Sequence, residues 1–194
     1  MGFYSFAKNI CSSILRIKGY KVQGLENVPS EGPLIVACNH LSLWDPVIVG
    51  CALPRPIIYM AKSELFDIPF VGIIIKALHA FPVRRGQSDL AAIKKALTVL
   101  KNNAVLGIFP EGTRSETGEL QEAMTGVVLI AEKSRAPVLP VKIYGSRGLL
   151  KQKRGAMGVV IGKPIYIDKI TLPPDISDRR SWIAKKIMKA VDEI

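Results

Sequence analysis

The sequence predicts an α/β layer fold with much parallel strand pairing in a single domain. Short apolar runs alternate with stretches of helical periodicity, the pattern that sheet-and-crossover architectures produce. No low-complexity linker or internal repeat divides the 194 residues, and that length fills one substantial core but hardly two. The division expected is an N-terminal amphipathic helix over 1–20 and a folded domain over 21–194.

The elements follow in order. Over 3–14, Phe3, Phe6, Ala7, Ile10, Cys11 and Ile14 recur at helical spacing, opposite Ser5, Lys8, Asn9, Ser12 and Ser13. Such a helix can lie in a membrane interface or pack on the protein's own core. Strand-like runs occupy 34–37, 57–60, 80–83, 105–109, 138–143 and 157–162. Pro46 suits the first turn of a helix over 47–53, with Asp45 before it as a natural N-cap. The segment 68–78 is apolar almost all round and interrupted by Lys76. A spanning helix needs about 20 apolar residues, so this segment reads as a buried helix, with a membrane-dipping one as the alternative. Over 88–101, Leu90, Ile93, Leu97 and Leu100 form one stripe while Lys94, Lys95 and Lys101 lie off it. A further helix is expected over 121–135, and Asp178 caps a last one carrying Trp182, Ile183, Ile187 and Val191.

Composition narrows the function classes. Cys11, Cys38 and Cys51 are odd in number and form no CxxC, which argues against a disulfide framework. Cys38 sits in an apolar run, where a thiol is an inert small hydrophobe. With two histidines in the chain a metal site has little to build on, and His79, between apolar neighbours, reads as a packed structural residue. The formal net charge of +11 calls for an anionic partner. Nucleic acid is disfavoured, because aromatic residues are not interleaved with the basic runs and no recognition motif is present. A membrane surface fits better: Lys151, Lys153 and Arg154 add a basic loop, and 48% of residues are hydrophobic. The N-terminal stretch lacks the basic start and small-residue cleavage site of a signal peptide. A peripheral or monotopic protein on the cytoplasmic side of the cell membrane is the expectation.

Two motifs carry chemistry. Asn39-His40-Leu41-Ser42-Leu43-Trp44-Asp45 offers an imidazole five residues before a carboxylate. A base of this kind titrates near neutral pH, and a carboxylate on its other nitrogen fixes the tautomer. Ser42 lacks a Gly-x-Ser-x-Gly elbow and reads as a helix-entry residue rather than a nucleophile. The second motif, Phe109-Pro110-Glu111-Gly112-Thr113-Arg114-Ser115, follows a buried strand. A polar, Gly-containing loop after a strand is where open α/β sheets place ligands. Arg114 supplies a planar fork for phosphate, and Gly112 lets backbone approach a ligand.

Together the motifs resemble the glycerolipid acyltransferases, over roughly 34–163. Phe81-Pro82-Val83-Arg84-Arg85-Gly86 resembles that family's second block, with Arg85 in register with its phosphate-contacting arginine and Arg84 where an acidic residue is common. Ala61-Lys62-Ser63-Glu64-Leu65-Phe66 adds Lys62 as a phosphate candidate, and Val138-Leu139-Pro140-Val141 matches a fourth block, either lining the acyl site or simply a core strand. The resemblance implies a mixed, largely parallel sheet flanked by helices. It also implies acyl transfer from acyl-CoA or acyl carrier protein to the free hydroxyl of lysophosphatidic acid, in phospholipid biosynthesis. On this reading His40 is the general base and Asp45 orients it. Glu111 positions the acceptor, with Gly112 and Thr113 beside it, while Arg85, Arg114 and Lys62 hold the phosphate. Backbone N–H groups near Gly112 are candidate oxyanion donors. No metal or other cofactor is expected, because the thioester brings its own leaving group. The rivals are a hydrolase using the same pair on water, an acyltransferase with glycerol 3-phosphate or another lysolipid as acceptor, and a basic membrane-binding module without activity.

Overall fold

The structure is a computed structural model and describes residues 2–84, 89–115, 121, 123–148 and 153–194. Its helices are α1 (Gly2–Ile17), α2 (Asp45–Ala52), α3 (Val71–Ala77), α4 (Leu90–Lys101), α5 (Gly126–Ser134) and α6 (Arg179–Asp192). The strands are β1 (Lys21–Gln23), β2 (Leu34–Cys38), β3 (Ile57–Lys62), β4 (Phe81–Val83), β5 (Val105–Ile108), β6 (Val138–Tyr144) and β7 (Gly158–Ile161). They form one sheet in the order β1-β7-β6-β2-β5-β3-β4. Every pairing is parallel except β6 with β7, so the sheet is mixed and largely parallel, as expected.

Strand β2 lies at the centre because its sequence is apolar at every position, which suits a strand covered on both faces. All of its residues are buried. Ile35 and Ala37 enter one core with Leu106, Val128, Ile130 and Ile183. Leu34, Val36 and Cys38 enter the other with Ile48, Val49 and Leu139. The period of two thus divides one strand between two helical layers, with α4, α5 and α6 on one face and α1 and α2 on the other.

Several expectations change. β1 was not foreseen; its three residues are exposed or half-buried and give no apolar signal. Helix α5 begins at Gly126 rather than 121, since the Met124 N–H is held by the Pro110 carbonyl at 2.8 Å. Asp178 does cap α6, accepting from the Ser181 N–H at 3.1 Å. The expected buried helix over 68–78 is instead largely exposed, and Gly72 is the buried residue of α3. The glycine edge of that helix packs most closely: a Cβ on Gly72 would meet the Phe66 carbonyl oxygen at 2.3 Å, while Ile75 and Ala77 are half-buried. His79 is exposed, not packed. It turns the chain out of α3 in a left-handed conformation (φ 64).

Candidate active site

The site arises from strand register. β2 and β5 are parallel neighbours paired from Leu34↔Val105 to Ala37↔Ile108. Continuing that ladder past both strands sets His40 opposite Glu111, 71 residues away, and the His40 N–H donates to Glu111 Oε1 at 2.8 Å. After β2 the chain departs into α2 on one face, and after β5 into α5 on the other. Connections that part in this way open a crevice at the carboxyl edge of a sheet.

Asn39 anchors the edge. Its side-chain amide donates to the Ile143 carbonyl at 2.9 Å and accepts from the Ile143 N–H at 2.7 Å. This side chain thus imitates a strand backbone and prolongs the tie between β2 and β6.

His40 is fixed on several sides. Its ring stacks on Phe109, with centroids 4.1 Å apart. Nδ1 lies 2.8 Å from Asp45 Oδ2, and its carbonyl accepts from the Ser115 N–H at 2.9 Å. Only 7% of His40 is exposed. Nε2 has no hydrogen-bond partner among the described residues.

Asp45 is not an N-cap. It opens α2, whose cap position is Trp44, and its carboxylate turns back into the loop. Oδ2 accepts from the Leu41 N–H at 2.6 Å and the Ser42 N–H at 2.7 Å, besides facing the imidazole. The 41–44 loop folds so that its first amides converge on this oxygen. The residue is fully buried, and Oδ1 has no partner among the described residues. Ser42 takes the helix-entry role expected of it: its Oγ accepts from the Trp44 N–H at 3.3 Å.

Glu111 is also buried, and both its oxygens face backbone donors: Oε1 the His40 N–H, Oε2 the Gln121 N–H at 3.1 Å. Burial raises its carboxyl above the ordinary value, opposed by those two hydrogen bonds. Gly112 has φ 73, and its N–H is used by the Phe109 carbonyl at 3.0 Å. That amide is therefore not an oxyanion donor. Thr113 donates through Oγ1 to Gln121 Oε1 at 2.8 Å, and Arg114 is exposed at the end of the turn. The cations are spread more widely. Lys62, at the end of β3, is exposed and paired with Glu64 at 2.8 Å. Arg84 is exposed and its N–H is held by Asp89 at 2.9 Å. Arg85 lies outside the described residues, as does Lys151.

Sequence reasoning missed two residues. One is Asn39; the other is Arg147, after β6, whose guanidinium donates to the Ser115 carbonyl and so braces the turn that holds His40. The block over 138–141 proves to be buried strand, shared between the two cores. Cys38 is fully buried and its thiol is pushed well up by that burial, so it is no thiolate nucleophile. Beside the site, Phe109 and Gly112 share a mainly apolar cavity of about 290 Å³ with Met60, Val83, Ile93 and Met124.

A buried imidazole–carboxylate pair with one free ring nitrogen, next to an apolar cavity, can deprotonate a hydroxyl or water beside a long-chain electrophile. The chain is also similar to known proteins. The acyltransferase family profile matches residues 19–144. The 1-acyl-sn-glycerol-3-phosphate acyltransferase of Bacillus subtilis is 38% identical over 166 residues, 84% of this chain and 82% of that protein. The chloroplast enzyme BAT2 of Brassica napus is 32% identical over 95% of this chain, which spans 56% of that relative's length. In three dimensions the crystal structure of the Thermotoga maritima 1-acyl-sn-glycerophosphate acyltransferase PlsC superposes with a TM-score of 0.74 at 26% identity, covering 98% of this chain and 78% of that one.

Proposed function

Because this chain belongs to the acyltransferase family, we propose that it moves an acyl group from a thioester to the free hydroxyl of 1-acylglycerol 3-phosphate, forming phosphatidic acid. The observation that carries this reading is the His40–Asp45 pair, 2.8 Å apart and buried at the sheet edge.

Asp45 accepts from Nδ1–H, which leaves Nε2 unprotonated and able to take the hydroxyl proton of the acceptor. The freed oxygen attacks the thioester carbonyl. The tetrahedral species collapses by breaking the C–S bond, and the departing thiolate takes the proton from the imidazolium. A metal or redox cofactor has no step to perform, since the thiolate is its own leaving group. Glu111 acts by position: it ties His40's backbone to the 111–115 turn and so sets where Arg114 projects. Arg114 and Arg85, with Lys62, hold the acceptor phosphate; a guanidinium fork suits that group. The cavity under Phe109 takes acyl chain. The donor is acyl-CoA or acyl carrier protein, and the protein works peripherally at an anionic membrane surface, on its cytoplasmic side. Among the described residues no helix is long and apolar enough to cross a membrane.

The test is an initial-rate assay with labelled acyl donors of both kinds and a panel of acceptors. Turnover should require lysophosphatidic acid, and His40→Ala should lower it by about 10²–10⁴-fold, the usual loss on removing a general base. Thioester cleavage at the same rate without acceptor would reassign the site to a hydrolase. Undiminished turnover in His40→Ala would remove the mechanism altogether.

A further inference from the structure

The apolar segment between β3 and β4 is displayed, not buried. Phe70 is 78% exposed and Ile73 69%, and Ile68 and Ile74 are exposed as well. The packing that produces this is specific. Gly72 lets α3 sit directly on the backbone of Phe66, so the helix is fastened by its small-residue edge and carries its large side chains outward. The backbone holds that arrangement at some cost. Phe70 has φ 63 and ψ −45, a region that bulky residues rarely enter, and His79 closes the segment with φ 64. An aromatic ring that is both strained at its backbone and exposed adds nothing to the core.

The position of the segment adds meaning. A small cavity of about 90 Å³ is lined together by Leu78, by Tyr4 and Cys11 of α1, and by Pro46 and Val47 of α2. Hence α1, the start of α2 and the end of the displayed segment adjoin. Leu43 and Trp44, in the loop between His40 and Asp45, are exposed too.

We propose that residues 68–74 form a second membrane-inserting element, an apolar wedge that enters the headgroup–acyl boundary of an anionic phospholipid bilayer. This rests on the reading of the protein as a lipid enzyme working at a membrane surface. Charge favours a bilayer as the occupant. The chain carries a net +11, exposed Lys76 sits in the last turn of α3, and the nearby Glu64 is engaged by Lys62. Asp67 is the remaining acidic neighbour in the turn before the wedge. A single interfacial anchor binds weakly and reversibly, so a second one beside α1 has a purpose.

The experiment uses the full chain and vesicles of phosphatidylglycerol and phosphatidylcholine in equal parts. Phe70→Ser combined with Ile73→Ser should weaken vesicle co-sedimentation by about tenfold or more, as expected for two large apolar side chains leaving an apolar phase. The same variant should keep kcat/KM on a water-soluble short-chain lysophosphatidate within about twofold, because neither residue lies in the site. Phe70→Trp supplies a direct readout that does not depend on the serine variant folding. Compared with the parent chain, its emission should shift to the blue on vesicles and be quenched by brominated acyl chains. Undiminished co-sedimentation, or no shift in Phe70→Trp, would overturn the wedge. So would a change of the serine variant from dimer to monomer in sedimentation velocity, which would assign the surface to self-association. Should lysophosphatidic acid prove not to be a substrate, the Phe70→Trp shift would still stand or fall on its own.

Discussion

A single oxygen of Asp45 gathers two backbone N–H groups and the imidazole, while the other has no partner among the described residues. That asymmetry separates charge from shape. In Asp45→Asn the amide oxygen can take the place of Oδ2 and the NH₂ that of Oδ1, so the loop keeps its form but the imidazolium loses its counter-charge. Turnover should fall by about 10²–10⁴-fold while the melting temperature moves by only a few degrees. Parallel melts and initial rates decide the matter; full activity would leave Asp45 as a loop clamp. Residue types were legible at this scale, partners less so. The two motifs taken together, and the resemblance they carry, singled out His40 and Asp45, whereas Asp-Pro at a helix start read as a cap. Asn39 and Arg147 gave no signal, because an amide that imitates backbone, or a guanidinium that braces a distant carbonyl, is visible only once β6 lies beside β2.

The elements explain why Glu111 is buried at all. Its carboxylate, just past β5, joins the end of β2 to Gln121 through two backbone N–H groups. Glu111→Gln leaves one acceptor where two are needed and sets an N–H₂ against an N–H. A loss of about 1–3 kcal/mol is expected, the usual cost of orphaning a buried donor, read as a lower melting temperature. Acid dependence has a definite sign. The folded protein binds the Glu111 proton more tightly than the unfolded chain, whose carboxyl has the ordinary value of 4.5. Stability from this group therefore falls as pH rises from about 4.5 through the raised value, and is level beyond it. Glu111→Gln should remove that slope; if the slope persists, another group produces it. Central strands were legible because burial on both faces makes them apolar throughout. The short edge strand β1 was not, and α3 was misjudged because an apolar run does not say whether its surface meets protein or lipid.

Across the whole molecule, α1 gives one stripe to the core and displays another, so the core-packing and interfacial readings concern different side chains. Leu15 is buried in the core and the Tyr4 hydroxyl accepts from the Ile57 N–H at 3.3 Å. Phe6, Ile10, Ile14 and Ile17 remain exposed on another stripe. Replacing Phe6, Ile10 and Ile14 together with serine should therefore reduce binding to anionic vesicles and leave the melting temperature nearly unchanged. Binding by the parent chain should also weaken with added salt, given its net charge of +11. A triple variant that unfolds, or binds vesicles undiminished, would return this stripe to the core. The architecture itself was legible, because alternating strands and helices permit few arrangements. The lie of the surfaces depended on packing that periodicity does not encode. The meeting of His40 with Glu111 has a last consequence. It belongs to the β2–β5 ladder and not to the chain between them. The turns at 53–56 and 102–104 lie at the opposite edge of the sheet, so they can grow or shrink without moving either residue. Across descendants of this fold the distance between the two motifs is thus free to drift, and what inheritance must preserve is which strands stand side by side.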